Sequence, residues 1–278
     1  MLQVNIFDNN FGHSINEDGF DTASMGRKPQ VMQWVRSKLD FDGPTVFTDE
    51  MMFDPIVDKV KCKYKIGWAQ ESPLIKPDVL ANLDRIKHKF DFILTHSQEH
   101  ISKDPKKYKR QIIASSRVRD EDMQIYKKTK NISIIASSKT WTEGHLLRHK
   151  IIKNLQGVDI WGGDYKGFDN KLDPLKDYMF SIAIMNARVE NYFTEILNDC
   201  FVVGTIPIFW GCPNIGDFYD IDGILPFETI DDLHKIKISK KTYESKLPSI
   251  KKNFELGKSY ASTDDLVAKN IISLINNI

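Results

Sequence analysis

From residue 178 to residue 210 the chain reads YMFSIAIMNARVENYFTEILNDCFVVGTIPIFW. An apolar run over 179–184 gives way to a polar segment. An amphipathic stretch over 192–203 follows, stops at Gly204, and leads into a second apolar run over 205–209. The pattern predicts strand, loop, helix and strand. Parallel strands joined this way present ligands at the carboxyl ends of the strands and at the helix N-terminus. Between the two apolar walls lie Asn186, Arg188, Asn191, Tyr192, Thr194 and Glu195. That set suits a nucleotide sugar: backbone amides for phosphate, a carboxylate for ribose or sugar hydroxyls, an aromatic ring for stacking.

Outward from this unit, strands and helices alternate along the whole chain. Strands are predicted over 3–7, 45–47, 64–68, 90–94, 132–136, 158–161, 179–184, 205–209 and 224–226. Helices are predicted over 29–39, 77–88, 120–128, 142–155, 192–203, 230–234, 241–256 and 263–275. Such alternation implies an α/β architecture with mainly parallel sheets. The polar stretch 129–131 precedes the restart of a buried strand and sets a boundary. The expected organisation is a lobe over 1–128, a second lobe over 129–258 and a C-terminal helix over 259–278, with a cleft between the lobes. In that last helix Leu266, Val267, Ile271, Leu274 and Ile275 make one apolar face that must dock.

The 278 residues are 41% hydrophobic and 28% charged, with a net charge of +1. This is an ordinary globular composition, without the basic excess that nucleic acid or an anionic membrane selects. The basic run KDPKKYKR over 103–110 reads as a solvated loop or as a patch facing an anionic surface. The three cysteines, Cys62, Cys200 and Cys212, are odd in number and lack zinc-ligand spacing. They imply a reducing compartment. No signal peptide is evident, and no apolar run is long enough to span a membrane. A cytoplasmic protein is expected.

Four further segments bear on chemistry. GWAQESP over 67–73 places Glu71 just after a strand, with Pro73 holding the preceding backbone extended. A carboxylate there is either a general base for an acceptor hydroxyl or a turn residue. IIASSKTWTEGHLLR over 134–148 is a strand, a serine-rich turn and a helix start, with Lys139, His145 and Arg148. Its amides and cations suit an anion. Glu195 is either a first-turn carboxylate favoured by the helix dipole or an acceptor for sugar hydroxyls. The D-x-D triplets 40–42 and 220–222 are each followed by Gly, as turns are, and carry only a weak metal signal. His96 lies after a strand but lacks partners at ligand spacing.

Together these segments resemble glycosyltransferase family 10, the α1,3/4-fucosyltransferases and their bacterial and viral relatives. The family's Phe-Glu-Asn, Tyr-x-Thr-Glu-Lys and Thr-Ile-Pro-Ile-Tyr-Trp-Gly correspond here to 184–186 (IMN), 192–196 (YFTEI) and 205–211 (TIPIFWG). Glu71-Ser72-Pro73 matches the first lobe's Glu-Ser-Pro, and Arg148 matches a phosphate-binding arginine. The similarity runs from about residue 64 to residue 227. It implies a GT-B fold of two Rossmann-like lobes, GDP-fucose as the donor, a glycan hydroxyl as the acceptor, and inverting transfer without a metal or other cofactor. On this resemblance Glu71 is the base and Arg148 holds the diphosphate. Tyr192 packs on the donor, and Glu195 binds hydroxyls of ribose or fucose. Asn186, Thr194 and Lys139 complete the expected donor set. Two positions depart from the pattern: Ile196 replaces the family's lysine, and Met185 its glutamate. They leave open a transferase using another nucleotide sugar, or a relative that binds nucleotide or glycan without turnover.

Overall fold

The computed structural model describes residues 1–9, 22–24 and 27–276. The chain forms two compact units. The first comprises residues 1–113, 190–192 and 262–278, and the second residues 114–189 and 193–261.

The first unit is built on a six-stranded sheet. Its strands are β1 (Leu2–Phe7), β2 (Met32–Arg36), β3 (Asp40–Thr48), β4 (Lys61–Ala69), β5 (Phe92–Thr95) and β6 (Tyr108–Arg110), in the order β2-β1-β3-β4-β5-β6. Every pairing is parallel. Among the described residues three helices, α1 (Ile56–Lys59), α2 (Pro77–Ile86) and α3 (Gln98–Lys103), fall between these strands. Phe47, Val57, Val79, Leu83 and Ile93 form one core cluster, and Val4, Ile6, Trp34 and Ile66 belong to another.

The second unit carries β7 (Lys130–Ile135), α4 (Glu143–Asn154), β8 (Asp159–Trp161), β9 (Tyr178–Ile184), α5 (Glu195–Phe201), β10 (Ile206–Trp210) and β11 (Leu225–Pro226). After them come α6 (Ile230–Lys235), α7 (Lys240–Ser245) and α8 (Leu247–Ser259). The five strands run in the order β11-β10-β9-β7-β8, again all parallel. All seven residues of β9 and all five of β10 are buried, as expected of central parallel strands covered on both faces. The strand-loop-helix-strand reading of 178–210 therefore holds, with the helix starting three residues later than expected.

The last helix, α9 (Thr263–Ile275), belongs to the first unit. Its Val267, Ala268 and Ile271 join the cluster of Val4, Ile6 and Trp34. Asp264 is buried and accepts hydrogen bonds from Thr22 Oγ1 and the Ala23 amide, both at 2.8 Å, and from Trp34 Nε1 at 2.5 Å.

Three local expectations differ from the structure. Residues 29–39 are not helical: Met32 and Trp34 are buried with Gln33 exposed between them, a period of two, and the segment pairs with β1. Residues 120–128 form only a 3-10 turn at Asp120–Asp122. Beyond it Lys128 is tied down, donating to the carbonyls of Lys176 and Val203 and to Thr205 Oγ1 at 2.7–2.9 Å. The basic run 103–110 includes β6, whose Tyr108 is fully buried. The division at Ile113/Ala114 also precedes the expected 128, because Ser115 and Ser116 hydrogen-bond to Asn198 and Asp199 of α5.

Candidate functional site

In the second unit the chain passes from β7 to β8 on one side of the sheet and then returns to place β9 on the other. This is a topological switch point, where open α/β sheets bind ligands at the carboxyl ends of their strands. A cavity of about 350 Å³ lies there, against Ile135 to Ser137 at the end of β7 and Ile182 and Ala183 of β9. That volume is in the range of small-molecule sites.

The β7–α4 connection supplies one wall. Thr142 caps α4, its Oγ1 accepting from the His145 amide at 3.3 Å and lying 3.0 Å from His145 Nδ1. Next to the cap, Gly144 donates its amide to the Asn186 carbonyl at 3.3 Å. A β-carbon at Gly144 would stand 1.8 Å from the Met185 carbonyl oxygen, so only glycine lets the start of α4 approach the end of β9 this closely. One turn later Arg148 is buried. Its Nε donates to the Ile184 carbonyl at 3.2 Å, and its Nη2 bonds that carbonyl and, at 3.2 Å, Asn186 Oδ1. Burial pulls the guanidinium down to about 10 against the opposing charge of Glu195, so Arg148 remains cationic at neutral pH. His145 is lowered by burial and then by Arg148, Lys139 and His149, which favours the neutral imidazole. Gly162, at φ 89°, turns the chain where a β-carbon would stand 2.7 Å from the Ala136 carbonyl oxygen.

A second part of the lining is organised by a carboxylate. Asp199 of α5 is completely buried, and its Oδ1 accepts from Ser116 Oγ and from the Arg117 amide, both at 2.8 Å. Its Oδ2 lies 3.5 Å from Lys171 Nζ. Burial raises the Asp199 pKa, with Lys171 opposing the shift. Arg117 in turn pairs with Glu195 at 3.2 Å. Arg117, Lys171, Glu195 and Ile196 all line the cavity.

In the first unit Glu71 follows β4, as expected. Asp49, at the end of β3, accepts the amides of Gln70 at 2.8 Å and Glu71 at 3.3 Å. Burial pushes the Asp49 carboxyl up to about 6, with the two amides opposing and the charges of Glu71 and Glu50 adding. Around it, at the carboxyl ends of β3 and β4, no protein partner among the described residues reaches Thr48 Oγ1, Trp68 Nε1, Gln70 Nε2 or Ser72 Oγ. Buried polar atoms in that condition mark places where water or a ligand belongs.

No family model matches the chain. Over 83 residues it is 35% identical to a putative fucosyltransferase-like protein of Arabidopsis thaliana, a match covering 28% of this chain and 16% of that protein. An α1,3-fucosyltransferase solved with GDP-fucose superposes with a TM-score of 0.55 at 16% identity, over 94% of this chain and 90% of that one. A second α1,3-fucosyltransferase structure gives 0.51 at 13% identity, over 100% and 91%. The chain has the α1,3-fucosyltransferase fold. The likeness to fucosyltransferases read from residues 64–227 is thus met again in the folded chain, with two all-parallel α/β sheets of the GT-B kind.

On this fucosyltransferase fold Lys139, Arg148, Asn186 and Glu195 come together at one cavity. Thr194 is the half-buried residue before α5, outside the cavity lining. Tyr192 belongs to the first unit, is 3% exposed and lies with its ring 5.0 Å from that of His96. The turn that places it there is fixed by Asn191, at φ 59°, whose Nδ2 donates to the His96 carbonyl and Gln98 Oε1. Met185 is a core residue, whereas Ile196 faces the cavity. Arg117 and Lys171 went unread in the sequence because neither sits in a motif; only the fold brings both to Asp199. Asp220 caps its own turn and pairs with Lys252 at 3.2 Å. Among the described residues no group of three or more His, Cys, Asp or Glu is gathered as metal ligands are, and no helix is long and apolar enough to cross a membrane.

Proposed function

We propose that this chain is a fucosyltransferase-like glycosyltransferase whose second unit binds the nucleotide-sugar donor and whose first unit serves the acceptor. The supporting observation is the switch-point cavity, where Arg148 and Lys139 converge on strand ends beside Asn186 and Glu195. A nucleoside diphosphate needs this combination: cations for the phosphates, and a carboxylate and an amide for hydroxyls. GDP-fucose is the first donor to test, because the superposing enzyme was solved with it.

In the proposed reaction a glycan hydroxyl oxygen attacks the anomeric carbon of the donor sugar. The bond from that carbon to the phosphate oxygen breaks on the opposite face, the configuration inverts and GDP departs. Glu71 takes the hydroxyl proton. Arg148 and Lys139 stabilise the charge gathering on the leaving diphosphate, a task fixed cations perform without a metal. Glu195 and Asn186 hold hydroxyls. The cysteine count of three, odd and without zinc-ligand spacing, supports a cytoplasmic location.

Calorimetry with GDP-fucose, GDP-mannose and UDP-sugars, followed by transfer to a glycan array with and without EDTA, tests this reading. GDP-fucose binding with EDTA-resistant transfer is the expected result. Absence of binding to every nucleotide sugar overturns it. A second reading, a different donor or binding without turnover, is favoured by one observation: Ile196 puts an aliphatic side chain into the cavity wall.

A further inference from the structure

We infer that Lys171 is a further phosphate-binding residue of this cavity, beside Arg148 and Lys139, parked on buried Asp199 until an anionic ligand takes up its charge. The inference rests on the donor-site reading above and adds to it a residue that no motif marks.

Asp199 is 0% exposed and has unequal oxygens. Oδ1 is satisfied by Ser116 Oγ and the Arg117 amide. Oδ2 has no hydrogen-bond donor, and Lys171 Nζ stands 3.5 Å away, close enough to neutralise charge but too long for a strong hydrogen bond. A lysine ammonium has three N–H donors. Among the described residues, none of these three reaches an acceptor at hydrogen-bonding distance. Lys171 is nevertheless largely covered, its side chain 10% exposed, and it lines the cavity. A nearly buried cation with unused donors facing a cavity is matched to an anion with several acceptor oxygens, which a diphosphate is.

The arrangement also solves a problem of the empty site. Without a ligand, a cluster of Arg148, Lys139, Arg117 and Lys171 would repel itself; Asp199 and Glu195 each hold one of its members. When a diphosphate enters, Lys171 gives its unused N–H donors to the ligand while Asp199 remains fixed by Ser116 and Arg117. The alternative is that Lys171 does nothing but neutralise Asp199.

The two are separated by titrating GDP, guanosine and inorganic pyrophosphate into the wild type, Lys171→Met and Lys171→Arg, with thermal melting to verify folding. The methionine keeps most of the apolar stem without its charge. A lost charge-assisted hydrogen bond predicts roughly tenfold to hundredfold weaker binding of GDP and pyrophosphate by Lys171→Met. Guanosine binding stays unchanged, and Lys171→Arg restores most of the loss. Wild-type affinity for GDP in Lys171→Met, with only a lower melting temperature, overturns the inference. Equal loss of guanosine and GDP binding overturns it too, since that is the mark of a collapsed pocket. If the wild type takes up pyrophosphate through Lys171 but no nucleotide, the transferase reading falls and the anion-binding role of Lys171 stands. If it takes up neither, both fall.

Discussion

The buried carboxylate of Asp49 accepts the backbone N–H of Glu71 at 3.3 Å, from a residue in the left-handed region at φ 43°. A non-glycine residue there is uncommon and costs on the order of 1 kcal/mol, so something must hold it. The two amides of Gln70 and Glu71 do so. They also fix the turn that carries Glu71, so the proposed base stands on a second acid. That acid is not an ordinary one, since burial pushes it up to about 6.

A stability measurement against pH follows from this seat. The folded carboxyl of Asp49 titrates near 6 and the unfolded one near 4. Between those values the folded chain holds a proton that the unfolded chain has released, so stability falls as pH rises through the window. Two pKa units correspond to a loss of about 3 kcal/mol, complete above pH 6. Asp49→Asn keeps an oxygen for the two amides but removes the titration. Urea unfolding is expected to show the variant more stable than wild type at pH 7.5, by up to about 3 kcal/mol, with a smaller gain at pH 4.5. Parallel pH profiles for the two proteins rule this account out.

Glu71→Gln tests the base directly. The substitution leaves the backbone bond to Asp49 in place, so the turn is retained. Loss of a general base is expected to lower transfer by roughly a hundredfold to ten-thousandfold. Nucleotide affinity is expected to stay at the wild-type value, because the residue belongs to the first unit. Near-wild-type turnover removes Glu71 from the mechanism.

How much of this was legible in the sequence depends on what fixes each feature. The central strands β9 and β10 are plain in the sequence, because strands covered on both faces are nearly continuous apolar runs, as YMFSIAI, broken only by Ser181, and IPIFW are. Arg148 and Lys139 were legible because a strand, turn and helix start place them locally. Tyr192 was misread: its neighbours suggest a helix, but the left-handed Asn191 turns the chain just before it and delays α5 to Glu195. The strand at 32–36 reads locally as a helix, since its pairing with β1 and its tryptophan's bond to Asp264 come from distant parts of the chain. Arg117 and Lys171 had no local signal at all. Asp199 stands beside Asn198 in a short helix, and only its burial and partners show that it holds the Arg117 amide and the Lys171 ammonium from two other segments.

Gly144→Ala tests how closely the cavity wall is built. The added methyl would meet the Met185 carbonyl, backbone just past β9 that the Met185 amide ties to the Trp210 carbonyl of β10 at 2.9 Å. The helix start must therefore retreat, taking with it the Gly144 amide bond to Asn186 and the placement of Arg148. Overpacking of this kind costs about 1–3 kcal/mol. Thermal melting is expected to show that loss together with weaker nucleotide binding. Gly167→Ala, where a β-carbon meets nothing within 4 Å, serves as the control and is expected to be neutral. Equal behaviour of the two variants would refute the close-approach argument.

Ile196→Lys asks which ligand the cavity expects. Ile196 is half-buried and lines the cavity beside Glu195, at the position where the fucosyltransferase pattern has lysine. A new charge-assisted hydrogen bond to a diphosphate is worth roughly 1.5–3 kcal/mol, or about tenfold to hundredfold in affinity. Two features of the site shrink that gain. Glu195 is the adjacent residue and competes for the new ammonium, although Arg117 already pairs with it at 3.2 Å. Lys171 also lines the cavity and supplies a cation of its own. The gain for GDP is therefore expected near the lower end, about tenfold, and to diminish with added salt as exposed charge interactions do. Arg148→Ala is expected to act oppositely and abolish detectable GDP binding, because it removes a buried cation and leaves the Ile184 carbonyl and Asn186 unheld. Calorimetry on both variants at two salt concentrations reads the outcome. If Ile196→Lys leaves GDP affinity unchanged or lowers it while Arg148→Ala still abolishes binding, the cavity keeps its phosphate site but has been reshaped around an aliphatic wall, for a donor other than GDP-fucose.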